Sequence, residues 1–289
     1  MLVSNKKRKM AEIIDGKELA KNIRKELKDK VNNLKENGIN PKMAVIMVGN
    51  DPASAVYVKN KSKACEKVGI EFEEFLFEEN ISEEVLLETI EKLNKDDSVH
   101  GILLQCPVPK HINTNKALRT ILPEKDIDGF NPVNVGNLTI GEEAFISCTP
   151  FGVIKMLEAY NIETEGKNAV ILGRSNIVGK PMIQCMLGKN ATVTVCHSKT
   201  KNIGDIIKQA DIVIAAIGKP KFVTAEMIKE GAVVIDVGIN RLEDGTICGD
   251  VDFDNIVNKA SYITPVPGGV GPMTIAMLLN NVVKAAENK

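Results

Sequence analysis

The chain has 289 residues, 44% of them apolar and 26% charged, a balance that suits two folded domains and excludes a disordered polymer. Its 37 basic side chains are matched by 38 acidic ones, so no basic excess points to nucleic acid. Six scattered cysteines without a C-x-x-C pair, beside only three histidines, predict neither a disulfide framework nor a metal site.

In chain order, the start carries Lys6-Lys7-Arg8-Lys9 without the apolar stretch of a signal peptide. It reads as a basic tail, with Met10 as an alternative start. No apolar run approaches the ~20 residues that span a bilayer, so a cytoplasmic protein is expected. Residues 17–36 predict a helix, with Leu19, Ile23, Leu27, Val31 and Leu34 on one face and Gly38 as its stop. Residues 43–49 form a continuous apolar strand. A helix over 54–68, a strand over 72–77, a helix over 82–93 and a buried strand over 99–105 follow. Strands alternating with helices imply βαβ units and a mainly parallel sheet.

Residues 123–148 break that rhythm. Pro123, Gly129, Pro132, Gly136 and Gly141 make them a loop-rich connector. Thr149 is expected to cap a helix that runs from Pro150 to Tyr160. Further strands follow at 169–173, 192–196, 212–217, 233–237 and 262–264, with helices between them. The fold class expected is α/β with two domains, the C-terminal one a Rossmann-like doubly wound parallel sheet, and an active-site cleft between them. A last helix over 273–287 has an apolar face of Ile275, Met277, Leu278 and Val282, expected to pack back on the first domain. The domains read as 1–148 plus 273–289, and 149–272.

The strand over 169–172 ends in Gly173-Arg174-Ser175-Asn176-Ile177-Val178-Gly179. A glycine at a strand end permits a tight turn, and the next helix can offer N–H groups to a pyrophosphate. The middle glycine of G-x-G-x-x-G is absent, so an ordinary strand–helix turn is an open alternative. The second strand ends in Cys196-His197-Ser198-Lys199-Thr200, without the acid that usually meets a ribose 2′-hydroxyl. Arg174, Ser198 and neighbouring basic groups could accept a 2′-phosphate instead, which favours NADP over NAD. Two more strand ends, around Gly218 and Ile239, are candidate cofactor walls. Asp236 reads as a residue that holds loop N–H groups.

Tyr57 and Lys61 are four apart and share a helix face, an arrangement common on plain surfaces. Gln105 stands where a buried strand exits, after Leu104 and before Cys106-Pro107. Asp128 precedes Gly129 and could be a turn residue alone. Pro265-Val266-Pro267-Gly268-Gly269-Val270-Gly271-Pro272 gives a stiff backbone suited to close contact with a flat ligand.

Together, Tyr57-x-x-x-Lys61, Gln105-x-Pro107, Pro123-Glu124-Lys125-Asp126-Ile127-Asp128-Gly129, Gly173-Arg174-Ser175-x-x-Val178-Gly179 and Pro267-Gly268-Gly269-Val270-Gly271-Pro272 resemble the bifunctional methylenetetrahydrofolate dehydrogenase/methenyltetrahydrofolate cyclohydrolase family. The resemblance runs from about Ile13 to the end. The basic tail and Cys106, where a larger apolar residue is expected, depart from it. It implies a homodimer that takes tetrahydrofolate derivatives and NADP, with no resident metal, membrane or nucleic acid. It implies that Lys61 moves protons in hydrolysis, Gln105 positions it, Tyr57 stacks on the substrate and Asp128 accepts from pterin nitrogens. Leu104, Cys106, Pro267, Gly268, Gly269, Val270 and Gly271 would complete the folate site. Gly173, Arg174, Ser175, Val178, Gly179, His197, Ser198, Gly218 and Ile239 would hold the cofactor. Two rival readings are a dehydrogenase with one activity on another substrate and a nucleotide-binding protein without catalysis. The first gives Lys61 no role in hydrolysis, and the second does not need Tyr57, Lys61, Gln105 and Asp128 together.

Overall fold

The computed structural model describes residues 10–288; the basic tail and the choice between two starts lie outside them. The chain opens with a two-residue strand β1 (Glu12–Ile13) and helix α1 (Gly16–Glu36), then β2 (Lys42–Val48), α2 (Pro52–Val68), β3 (Glu71–Phe77), α3 (Glu83–Lys95) and β4 (Gly101–Leu104). Next come α4 (Thr114–Thr120), α5 (Pro132–Ile140), α6 (Cys148–Ala159), β5 (Asn168–Leu172), α7 (Gly179–Gly188), β6 (Thr192–Cys196), α8 (Ile203–Ile207) and β7 (Ile212–Ala215). The chain closes with β8 (Val233–Asp236), a hairpin of β9 (Asn240–Arg241) and β10 (Ile247–Cys248), then α9 (Phe253–Ile256), β11 (Tyr262–Ile263) and α10 (Val270–Glu287). Among the described residues no helix is long and apolar enough to cross a membrane.

Two compact units result. One comprises residues 20–148 and 274–288. Its sheet has the order β3-β2-β4, all parallel, with β2 in the centre. From Met43 to Val48 β2 is buried throughout, which explains its unbroken apolar run: both faces of a central parallel strand are covered. Ile46, Ile102, Leu86 and Ile90 meet in this unit's core. Each such side chain contributes roughly 1.5–3 kcal/mol by leaving water. Helix caps agree with the local sequence. Asp51 accepts from the Ser54 N–H at 2.7 Å to start α2, and Ser82 starts α3 with Glu83 and Glu84 in its first turn.

The other unit holds residues 10–19 and 149–273 around a six-stranded sheet of order β1-β11-β8-β7-β5-β6. Every pairing is parallel. The chain leaves β5 toward β6 on one side and then returns to β7 on the other. The C-terminal end of β5 is therefore the switch point of a Rossmann-like sheet, where ligands of such sheets bind.

Three expectations need correction. Residues 10–19 belong with the second unit, because β1 pairs with β11 in register Glu12 to Tyr262; a two-residue strand has no periodicity to betray it. The connector over 123–148 is partly helical: Asn131 accepts from the Val133 N–H at 2.9 Å and Pro132 opens α5, a start signal outweighed in the sequence by glycines. Helix α6 begins at Cys148, so Thr149 lies in its first turn rather than capping it. The last helix does pack with the first unit from Thr274 onward. There the buried Asn281 donates to the Ile127 carbonyl at 2.8 Å.

Candidate active site

Within the unit of residues 20–148 and 274–288, β4 delivers Leu104 buried and Gln105 at its exit, where the Gln105 N–H still donates to the Ile46 carbonyl at 2.8 Å. The side chain of Gln105 is held at both ends. Its Nε2 donates to the Cys106 carbonyl at 2.9 Å, and its Oε1 accepts from Lys61 Nζ at 2.9 Å. Lys61 comes from α2, one turn after Tyr57, which is 49% exposed and free to meet a ligand. Asp128 follows the fully buried Ile127. Burial pushes the Asp128 carboxyl upward, and the Lys61 charge pulls it back. The same lysine lowers the otherwise raised Cys106 and Cys148 thiols, so Lys61, Gln105, Cys106, Asp128 and Cys148 share one electrostatic environment. Burial holds the Cys148 thiol well above the usual range, so it stays a neutral donor to Asp128 Oδ1 at 3.7 Å.

In the other unit a cavity of about 270 Å³ opens at the switch point. It is lined from three strand ends: Leu172, Gly173, Arg174 and Ser175 after β5, Cys196, His197 and Ser198 after β6, and Ala216, Ile217 and Lys219 after β7. Ile203 and Phe222 complete it. Gly173 has φ +116, and a Cβ there would run into the Ala216 carbonyl oxygen, so only glycine lets the turn pass this close to β7. Ser175 Oγ accepts from the Val178 and Gly179 N–H groups at 3.1 and 3.4 Å, which shapes the start of α7. His197 Nδ1 accepts from the Lys199 N–H at 3.2 Å. An apolar floor suits a flat base, a hydroxyl and cationic rim suits phosphate, and no carboxylate lines the cavity. These features fit a phosphorylated dinucleotide.

Residues 14–128 match the family model described as the tetrahydrofolate dehydrogenase/cyclohydrolase catalytic domain, and residues 147–289 match the NAD(P)-binding domain of the same family. The chain belongs to the tetrahydrofolate dehydrogenase/cyclohydrolase family. It is 58% identical to the bifunctional protein FolD of Agathobacter rectalis over 276 residues, 96% of this chain and 99% of that one. The crystal structure of the bifunctional enzyme FolD from Campylobacter jejuni superposes with a TM-score of 0.95 at 54% identity, covering 96% and 99% of the two chains. The Trypanosoma brucei FolD, solved with NADP cofactor and inhibitor, superposes with a TM-score of 0.92 at 39% identity, covering 97% and 98%.

For this member of the family, the structure brings Lys61, Gln105, Cys106 and Asp128 together in one unit, with Tyr57 one turn from Lys61. Pro267, Gly268, Gly269, Val270 and Gly271 fall in the other unit, where Ile239 Cδ1 lies beside Gly271. Of the expected cofactor residues, Gly173, Arg174, Ser175, His197 and Ser198 line the cavity. Val178 and Gly179 act on it through Ser175, Gly218 is tied in through its backbone, and Ile239 stands apart from the lining.

Sequence reasoning missed two supports. The buried Asp250 carboxylate accepts from the N–H groups of Ile217, Gly218 and Lys219 at 2.7, 2.9 and 2.8 Å and from Asn240 Nδ2 at 2.9 Å. The buried Asp236 accepts from the Gly238, Asp250 and Val251 N–H groups, the loop-holding role read from its strand-end position. Asn281 is the second missed support. Besides the Ile127 carbonyl it donates to that of Ile146 at 3.2 Å, next to Cys148 and Asp128. Its only signal was an amide on the apolar face of the last helix.

Proposed function

We propose that this chain oxidises 5,10-methylenetetrahydrofolate to the methenyl form and hydrolyses that product to 10-formyltetrahydrofolate, with NADP as its cofactor. The observation that carries this reading is the Lys61–Gln105 hydrogen bond set beside Asp128. NADP, when bound, supplies the hydride acceptor, and Gly173, Arg174, Ser175, His197 and Ser198 would hold it.

The protein's own residues account for orientation and for the proton traffic of the second step. Tyr57 stacks on the flat substrate, and Asp128 accepts hydrogen bonds from pterin N–H groups, which its burial strengthens by removing competing water. Hydrolysis needs a water oxygen to bond to the methenyl carbon and one carbon–nitrogen bond to open. Lys61 Nζ takes one proton from the attacking water and returns it to the departing ring nitrogen, while the second water proton leaves to solvent as the formyl C=O forms. Gln105 Oε1 aims that nitrogen, because its own amide is anchored to the Cys106 carbonyl. Residues 267–271, with two glycines next to each other, give a backbone that a planar ring can approach closely.

The reading includes a homodimer. Strand β3 is an edge of its sheet and among the described residues pairs with β2 alone, while its Leu76 is 59% exposed. An open strand edge offers unpaired backbone groups to which a second chain can pair.

The test is an absorbance assay with methylenetetrahydrofolate and each nicotinamide cofactor, following reduced nicotinamide and methenyl intermediate separately. Formation of reduced cofactor with NADP, ahead of NAD, followed by decay of the methenyl signal supports the reading. Reduced cofactor without decay of the intermediate leaves a dehydrogenase with a single activity, and equal kcat/KM for both cofactors removes the assigned preference.

A further inference from the structure

We propose that Lys219 is a second cation, beside Arg174, that binds the 2′-phosphate of NADP and thereby sets the preference for NADP over NAD. This rests on the cofactor reading above. A phosphate monoester carries close to two negative charges at neutral pH, and Arg174 alone balances one of them. The sequence around the second strand end offers Lys199 as the obvious partner. Lys199, however, sits in a tight turn closed by the Thr200 N–H to the His197 carbonyl at 2.8 Å, and it does not line the cavity. Lys219, from the end of β7, does.

Three features hold Lys219 there. Its N–H donates to the fully buried Asp250 at 2.8 Å, and the same carboxylate grips the two preceding N–H groups, so the backbone at 217–219 is fixed. Its Nζ lies 5.6 Å from the centre of the Phe222 ring, and Phe222 is itself part of the cavity wall. A cation over an aromatic face is attracted to it without being neutralised. Finally, among the described residues neither Lys219 nor Arg174 forms a salt bridge, and no carboxylate lines the cavity. Both charges are therefore available to an anionic ligand, and Ser198 adds a hydroxyl to the lining of the same cavity. Asp250 is the positioning residue of this arrangement: it grips the loop through its backbone N–H groups and is itself held by Asn240 Nδ2.

The proposal is tested by calorimetric titration of the full chain and its Lys219→Gln and Lys219→Arg variants with adenosine 2′,5′-bisphosphate and with adenosine 5′-monophosphate. Binding is read directly, without turnover. Loss of one charge-assisted contact predicts a roughly tenfold weaker 2′,5′-bisphosphate complex for Lys219→Gln. Its 5′-monophosphate affinity should change by less than about twofold, and Lys219→Arg should keep the bisphosphate within about threefold, since arginine retains charge and donors. An equal loss for both nucleotides, no loss for the bisphosphate, or an arginine variant as weak as the glutamine one overturns the proposal. If the unmodified chain binds neither nucleotide nor NADP, the cofactor reading itself falls.

Discussion

At the scale of single residues, the candidate site divides into side chains that announce themselves and side chains that do not. Tyr57, Lys61, Gln105 and Asp128 were legible only through the family-like motifs that hold them, because a Tyr–Lys pair on a helix face, a polar strand exit and an Asp before glycine are each common without function. Lys61 is the sharpest test. Hydride transfer depends on alignment, whereas hydrolysis must also move protons. Lys61→Met, similar in length and without an exchangeable proton, should lower hydrolysis about 100-fold or more while measurable dehydrogenase activity survives. The methenyl intermediate then accumulates in the absorbance assay. A loss of tenfold or less would reduce Lys61 to positioning. Asp250 and Asn281 were not legible, since their roles depend on partners 31–33 and 133–154 residues away.

At the scale of elements, junctions carry more than the elements themselves. Helix α1 opens at Gly16, whose Cα faces the Gly269 carbonyl so closely that a Cβ would overlap that oxygen and come within 2.7 Å of its carbon. The next N–H, that of Lys17, donates to the Gly268 carbonyl at 2.9 Å. The start of α1 thus braces residues 267–269. Gly16→Ala should destabilise the chain by roughly 1–3 kcal/mol, the usual cost of overpacking, and raise KM for the folate substrate. An unchanged melting temperature and KM would show that the brace is dispensable. The turn before α5 is organised by the buried Asp126, which accepts from the N–H groups of Phe130 and Asn131 and from Asn134 Nδ2. Burial pushes this carboxyl from 3.8 up to about 6, against those hydrogen bonds. The sign follows. The folded state binds the proton more tightly than the unfolded state, so stability from this group is present in acid and is lost as pH rises through about 6. Between pH 7 and pH 5 it should add about 1 kcal/mol to stability. Asp126→Asn lacks this component, so the gap in stability between native and variant should widen in favour of the native chain at pH 5. A gap independent of pH between 5 and 7 would contradict the assignment.

At the scale of the whole molecule, neither unit is continuous in sequence: the boundaries fall inside α1, between Leu19 and Ala20, inside α6, between Cys148 and Thr149, and inside α10, between Met273 and Thr274. The exposed edge of β3 adds a prediction about assembly. Leu76→Arg should shift the chain from dimer to monomer in light scattering, because burying an unpaired charge costs far more than a surface leucine gains. A native chain that is already monomeric at micromolar concentration would end the dimer reading.

What the amino-acid order determined by itself was whatever is encoded within about twenty neighbours: the alternation of strands and helices, the parallel α/β class, the glycine turn after β5 and the missing acid after β6. Those features rest on periodicity, caps and turn chemistry, which act locally. Folding in three dimensions set that β1 joins the far sheet, that Asn281 holds the Ile127 carbonyl and that Lys219 rather than Lys199 lines the cavity. Strand pairing across some 250 residues, and hydrogen bonds between buried groups, exist only once the chain has brought their partners together, and no local pattern records them.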